Sequence, residues 1–351
     1  MNDTQLQQDF YKRYGISKNR VSFSKTGLLC NLIGDSQIKD FPFISCTLSM
    51  CIRTMGRRLD NKLVRLENTQ TGTYDIYRLD ELPNKGNEIN KILKKFTSYT
   101  TFGAEILYDS TIPESFNNET AFNITLVNSL MKTIPKELNI RQKASFFGSE
   151  YFSEYVALLN SKKGWCTLVQ GSRCEQLPFP LTGYKILMIR TRLKNSPQKS
   201  IDIKKETDAI KRIYPHVVSV NDITEEMLSN PALKLNNTEL NRIRFLVLER
   251  EFVSIAKACL KACNTEKFAD IMNRSEDCFR QLCANDEKAR FTVDVLRDVG
   301  ECICAKQQRD AVIAIVKEKS ADNTVNLLRY SFSAAFGYEP SVCICDTCGT
   351  E

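Results

Sequence analysis

Apolar and polar residues alternate along two short stretches of the first half, Leu63-Val64-Arg65-Leu66-Glu67 and Tyr74-Asp75-Ile76-Tyr77-Arg78-Leu79. Period-two alternation is the mark of a half-buried strand. Tyr184-Lys185-Ile186-Leu187-Met188-Ile189 predicts a third strand. In the second half the period lengthens. Phe245, Leu248, Phe252, Ile255 and Cys259 recur at spacings of 3-4-3-4, and Phe268, Met272, Ser275, Phe279 and Leu282 at 4-3-4-3, so each set is expected on one helical face. Asn264 stands where it can cap the second of these helices. Ala311-Val312-Ile313-Ala314-Ile315-Val316 is wholly apolar, as expected of a strand covered on both faces. A helix over about 320–336 and a closing strand over 341–345 complete the pattern. Between 190 and 207 the chain turns polar and basic around Asn195-Ser196-Pro197, which predicts a boundary between domains at 1–195 and 205–351.

Composition narrows the class. With 351 residues, 42% hydrophobic and 26% charged, the chain can fill two packed domains. No apolar run reaches the 18 or so residues of a transmembrane helix, and the polar start Met1-Asn2-Asp3-Thr4 lacks an apolar signal core. A cytoplasmic chain with no membrane partner is expected, its 14 cysteines reduced and packed as small hydrophobes. Cys302, Cys304, Cys343, Cys345 and Cys348 lack the paired C-x-x-C knuckles of a structural zinc site, and His216 is the sole histidine, so no metal is expected. The net charge of +7 is scattered, densest at Arg57-Arg58 and Arg190 to Lys194, without the aromatic-interleaved stripe of a nucleic-acid surface. No nucleic-acid partner is expected.

Motifs then bring a family into view. Gly27 to Pro42 contains Asn31-Leu32-Ile33-Gly34 at the distance from the start where galactokinases carry P-G-R-V-N-L-I-G-E-H-T-D-Y-N-G-G. Lys162-Lys163-Gly164, leading to Leu177-Pro178-Phe179-Pro180, resembles the family's K-K-G segment and the strand after it. Arg242 to Glu249 resembles R-x-R-H-V-V-x-E-N, and Phe268 to Ser275 resembles F-G-x-L-M-N-x-S-H. Gly337-Tyr338-Glu339-Pro340 with Val342-Cys343 resembles the closing G-x-E-P-x-x-Y-V-C. In this order and at these separations, the chain resembles the galactokinase family of the GHMP-kinase superfamily along nearly its whole length. That resemblance implies an α+β, two-lobed fold, with an N-terminal ribosomal-S5-like α/β lobe and a C-terminal ferredoxin-like α+β lobe.

The family's chemistry is another matter. Its P-x-G-x-G-L-S-S-S-A signature wraps ATP phosphates with backbone amides, which requires glycine. The matching segment, Ile112 to Ala121, contains none, and Asn117 or Asn118 is expected to cap a helix there instead. Residues with a Cβ lose roughly 1–2 kcal/mol each in left-handed geometry. Losing three charge-assisted contacts, at about 1.5–3 kcal/mol apiece, would weaken ATP binding by several orders of magnitude. The G-A-G-F-G-G signature becomes Ala305 to Asp310, where Lys306 and Arg309 are expected to face solvent; Asn117, Asn118, Lys306 and Gln307 thus mark a degraded nucleotide site. Within the first signature, Leu29 takes the arginine position, Asp35-Ser36 the Glu-His pair and Ile38 the sugar-binding aspartate. The resemblance leaves Asn31, Asp35 and Ser36 as candidate substrate ligands. The catalytic aspartate position falls on Glu154, a carboxylate one methylene longer that can serve as a base. Phe245, Arg250 and Glu276 replace a His, an Asn and a second His. The expectation is a galactokinase-like protein of carbohydrate metabolism that has lost its chemistry and works by binding a sugar, a small metabolite or a regulatory protein, with no cofactor. One alternative is an active sugar kinase using ATP and Mg through Glu154 and Asp35. Another is a scaffold whose cleft is filled by Leu29, Ile38, Phe41 and Phe116.

Overall fold

Asn2 starts the first helix by accepting from the Gln5 amide while the Gln5 side chain accepts from the Asn2 amide, the reciprocal pair of a capping box. The computed structural model describes residues 2–16, 21–83, 86–134, 137–147, 152–171, 173–192, 203–283, 286–308 and 311–350. By density of contacts it falls into two units. The first comprises 1–29, 47–163 and 348–351; the second comprises 30–46 and 164–347.

In the first unit, helix α1 (Asp3–Tyr14) buries Leu6 and Phe10 against Met55 and Leu107. Strands β1 (Val21–Gly34) and β2 (Phe43–Leu59) are long enough to contribute to both units. Strand β3 (Leu63–Asn68) pairs with β4 (Tyr74–Arg78) as an antiparallel hairpin, where the alternation predicts two strands. Helix α2 (Glu88–Phe96) then carries the chain to β5 (Gly103–Ser110), which runs parallel to β3 and antiparallel to the second half of β2. Gly103 permits that junction, because a Cβ there would lie 1.9 Å from the Leu63 carbonyl oxygen. Helices α3 (Glu119–Lys132) and α5 (Phe152–Leu159) share one apolar core with β3, β5 and α2, joined by Leu138, Phe146 and Phe147 on either side of the short helix α4 (Ile140–Ala144).

The second unit opens with the hairpin of β6 (Trp165–Gln170) and β7 (Arg173–Pro178); Val169 to Thr167 of β6 pair with Phe43 to Ser45 of β2. Strand β8 (Tyr184–Arg190) lies in a second sheet with elements from the far end of the chain. Helices α6 (Lys204–Ile213), α7 (Glu225–Leu228), α8 (Asn237–Lys261), α9 (Thr265–Leu282) and α10 (Glu287–Arg297) follow. Strands β9 (Cys302–Gln308) and β10 (Ala311–Lys317), helix α11 (Ala321–Phe336) and β11 (Ser341–Cys345) close the chain. The antiparallel order β11-β8-β10-β9 makes β10 an interior strand, and Ala311 to Val316 are all buried. Asn264 caps α9 by accepting from the Lys267 amide at 2.9 Å. The boundary expected between 195 and 205 centres on 193–202, outside the described residues.

One helical face differs from its expectation. In α8 the buried set is Ile243, Leu246, Val247, Glu249, Phe252, Val253, Ala256 and Leu260, whereas Ile255 is exposed. Apolar residues surround this helix, so two stripes with the same period compete, and the packing partners select the one a step away. Among the described residues no helix is long and apolar enough to cross a membrane.

Candidate functional site

The turn after β1 is shaped by Gly34. Its φ is +83°, and a Cβ would sit 2.2 Å from the Pro42 carbonyl oxygen, so both the backbone conformation and the space require glycine. The Gly34 amide donates to Glu249 Oε1 at 2.8 Å, and its carbonyl accepts from Gln308 Nε2 at 3.1 Å. Asn31 donates through Nδ2 to Ser36 Oγ at 2.7 Å, while Asp35 Oδ1 accepts from the Gln37 amide at 2.9 Å. Asn31 near the end of β1 and Asp35 and Ser36 in the turn after it are all buried. The Asn31 Oδ1 is buried and accepts from nothing among the described residues. Ile38 and Phe41 leave the turn for the core formed by Ile210, Val217, Ile243 and Leu246, and Leu29 packs half-buried against the core of the first unit.

Lys306 does not face solvent as expected. It is 2% exposed, with Nζ donating to Glu249 Oε1 at 2.6 Å and to Ser275 Oγ at 2.7 Å. Ser275 Oγ donates in turn to Glu249 Oε2. The reason is the strand: 304 and 306 project to the same side of β9, where Cys304 already meets Met272 of α9. A lone ammonium on that side would be prohibitively desolvated, and Glu249 of α8 and Ser275 of α9 supply its counter-charge and hydrogen bonds. Arg309 and Asp310 lie outside the described residues.

The outer edge of β9 is also taken. The Ala305 amide donates to Asn273 Oδ1 at 3.2 Å and the Gln307 amide to Glu276 Oε2 at 2.8 Å, both acceptors on α9. Asn273 Nδ2 completes the match by donating to the Ile303 carbonyl at 2.9 Å. Burial pushes the Glu276 carboxyl above its ordinary value, against the opposing pull of Arg280 and the Gln307 amide. Arg250, at the family's Asn position, donates to the backbone carbonyls of Asn221 and Ile223, and Phe245 packs against Phe279.

In the first unit, the segment at the phosphate-loop position forms a turn closed by the Phe116 amide on the Pro113 carbonyl at 2.9 Å, with Phe116 buried. Asn118 is the N-cap residue of α3 without a side-chain cap bond; the Asn117 Oδ1 accepts from the Glu119 amide at 3.0 Å. Among the described residues only Asp40 and Cys263 combine a side chain with positive φ, so this segment avoids the left-handed geometry of a glycine loop. Glu154 lies in the first turn of α5, 6% exposed, and accepts from Thr120 Oγ1 at 3.4 Å. The carboxylate expected as a base is thus buried against the start of α3.

No group of three or more His, Cys, Asp or Glu side chains among the described residues is arranged to hold a metal ion. Cys348 Sγ donates to the Leu48 carbonyl at 2.8 Å, and burial pushes the Cys302 thiol up to about 12. Reading motifs position by position missed Asn273 and Ser275 as partners of β9. Both sit in the Phe268 to Ser275 block that carries the resemblance, but a motif match does not say which strand a helix side chain will meet.

No protein-family model matches the chain, and no curated protein matches it in sequence. Solved structures do match its fold. Galactokinase of Lactococcus lactis, complexed with galactose, has a TM-score of 0.85 at 16% identity, covering 99% of each chain. Mevalonate kinase of Methanococcus jannaschii has a TM-score of 0.62 at 13% identity, covering 94% of this chain and 99% of the other. Mevalonate diphosphate decarboxylase of Staphylococcus aureus follows at 0.61 and 12%, covering 95% and 97%.

Proposed function

Starting from a galactokinase-like GHMP-kinase fold, we propose that this protein is a pseudokinase that binds a sugar, a small metabolite or a regulatory protein and does not transfer phosphoryl groups. The observation that carries this reading is the state of β9. Where the fold's relatives are expected to present a glycine-rich turn, the Ala305 and Gln307 amides are already bonded to Asn273 and Glu276, and Lys306 is buried on Glu249 and Ser275. A phosphate would have to displace the neutral Ala305–Asn273 bond, worth about 0.5–1.5 kcal/mol, and bonds to charged groups worth about 1.5–3 kcal/mol each, and approach the buried Glu276 carboxyl. The residues present do not fit the polyphosphate of ATP with Mg, and no step is drawn through it.

What supports retained binding is the turn after β1. Asn31 near the end of β1 and Asp35 and Ser36 in the turn itself are polar and buried, and Asn31 Oδ1 accepts from nothing among the described residues. Calorimetry with Mg-ATP and, separately, with galactose and related sugars tests both halves. The expected result is no heat from ATP up to about 1 mM, with Kd above the millimolar range. Micromolar ATP affinity sinks the proposal. Metal-dependent ATP turnover lost in Glu154→Ala would establish the active sugar-kinase alternative, to which the buried carboxylate of Glu154 gives its one support.

A further inference from the structure

Strand β4 ends its sheet. It pairs with β3 on one side, and no described strand lies on the other. An unpaired strand edge is a row of backbone donors and acceptors open to another chain. In an antiparallel pair only every second residue exchanges bonds with its neighbour, and two bonds set that phase here. The Asn68 amide donates to the Thr73 carbonyl and the Leu79 amide to the Lys62 carbonyl, both at 2.9 Å. Thr73, Asp75, Tyr77 and Leu79 therefore turn to β3, and Tyr74, Ile76 and Arg78 aim their backbone groups outward. The Arg78 carbonyl already accepts from the Glu81 amide at 3.1 Å. That leaves the Arg78 amide and both backbone groups of Tyr74 and Ile76 along the edge.

The side chains follow the same alternation. Tyr77 packs on the core that holds Val64 and Leu66, so Tyr74, Ile76 and Arg78 stand on the opposite face. Solvent covers them: Tyr74 is 67% exposed, Ile76 52% and the Arg78 side chain 60%. Proline, lysine or a bulge commonly blunts such an edge, but β4 contains neither residue and its register with β3 is unbroken. The strand is also self-complementary. Turned about a two-fold axis at Ile76, a second β4 runs antiparallel to the first, with Ile76 opposite Ile76 and each Tyr74 ring opposite an Arg78 guanidinium. Asp75 then lies opposite Tyr77 on the other face. The acidic turn of Asp80 and Glu81 falls opposite Gly72 and Thr71 of the second copy, in a loop from Asn68 to Thr73 that carries no charge. Like charges are nowhere set against each other in this register.

We propose that this edge is where two copies of the chain join, by antiparallel pairing of β4 with β4. The two Ile76 residues exchange amide and carbonyl bonds, and each Arg78 amide donates to the Tyr74 carbonyl of the second copy. The strand has five residues, fewer than the roughly 20–30 a side of a standard interface, so a Kd in the micromolar range is expected.

Sedimentation velocity on the full chain at about 1 to 500 µM is the test, and the parent is expected to pass from monomer to dimer across that range. Ile76→Pro removes an outward amide that β3 does not use. It should weaken the dimer by about tenfold or more while leaving circular dichroism and Tm unchanged. Ile76→Lys and Ile76→Glu each set like charges on the axis and are expected to stay monomeric, whereas an equimolar mixture of the two forms the mixed dimer. A parent that is monomeric at about 500 µM overturns the proposal, whether the edge then stays bare or takes an extended segment of another protein. So does a dimer that Ile76→Pro leaves intact, or a Lys and Glu mixture that does not pair. No nucleotide or sugar enters these measurements, so this proposal and the pseudokinase reading fail separately.

Discussion

Lys306 shows how a charged side chain can be held inside the fold. Its ammonium and the Glu249 carboxylate are each about 2% exposed, and a buried pair of this kind is costly to break from one side only. Lys306→Met leaves Glu249 charged and unmatched, and is expected to lower unfolding free energy by about 3–5 kcal/mol in urea titrations. Adding Glu249→Gln, which still accepts from the Gly34 amide, should restore most of that loss. A single variant as stable as the parent would mean the pair is not held as described. Glu276 gives a pH-dependent counterpart. Its folded-state value is raised above the ordinary 4.5 by burial. Between that value and the higher folded one, the unfolded chain releases its proton first, so the folded state loses stability as pH rises through the window. Glu276→Gln keeps an acceptor for the Gln307 amide but does not titrate. Its stability relative to the parent is therefore expected to increase as pH rises above 4.5, and to stay level if Glu276 is not shifted upward.

Among the elements, β9 and α9 act as a matched pair. An edge strand normally exposes unpaired amides, and here two side chains of one helix cover them. Asn273→Ala should orphan the Ala305 amide and the Ile303 carbonyl, at about 1–3 kcal/mol per group, and speed hydrogen exchange at Ala305. Unchanged exchange would show that the helix does not cap the strand. The turn after β1 is fixed in another way, by backbone alone. Gly34→Ala meets both a φ of +83° and the Pro42 carbonyl, so a loss of at least about 2 kcal/mol is expected in thermal or urea unfolding. The linear pattern showed α9 as a helix and Gly34 as part of a motif, but it gave neither β9, whose residues were read as a rewritten glycine-rich segment, nor the turn after β1. Nor did it show that Asn273 and Ser275 sit opposite Ala305 and Lys306, because helix phase relative to a strand depends on packing across some thirty intervening residues.

For the molecule as a whole, a nucleotide that bound the folded chain at 100 times its Kd would add about 2.7 kcal/mol of stability. Mg-ATP is accordingly expected to leave Tm unmoved, and a rise of a few degrees would restore the kinase reading. Periodicity and motif order were enough to place β3, β4, β8, β10, β11, α8, α9 and α11, the buried character of Ala311 to Val316 and the galactokinase-like fold, because these follow from local spacing and from apolar positions that any packed version of the chain must bury. The absence of glycine from Ile112 to Ala121 and from Ala305 to Asp310 was equally plain in the linear chain, since backbone freedom is a property of the residue itself. The side to which Lys306 turns, the stripe of α8 that is buried and the partners of the β9 amides were decided only by tertiary structure. A period of two or of 3.6 says that faces exist, and only the surrounding elements determine which face meets a carboxylate, a core or water.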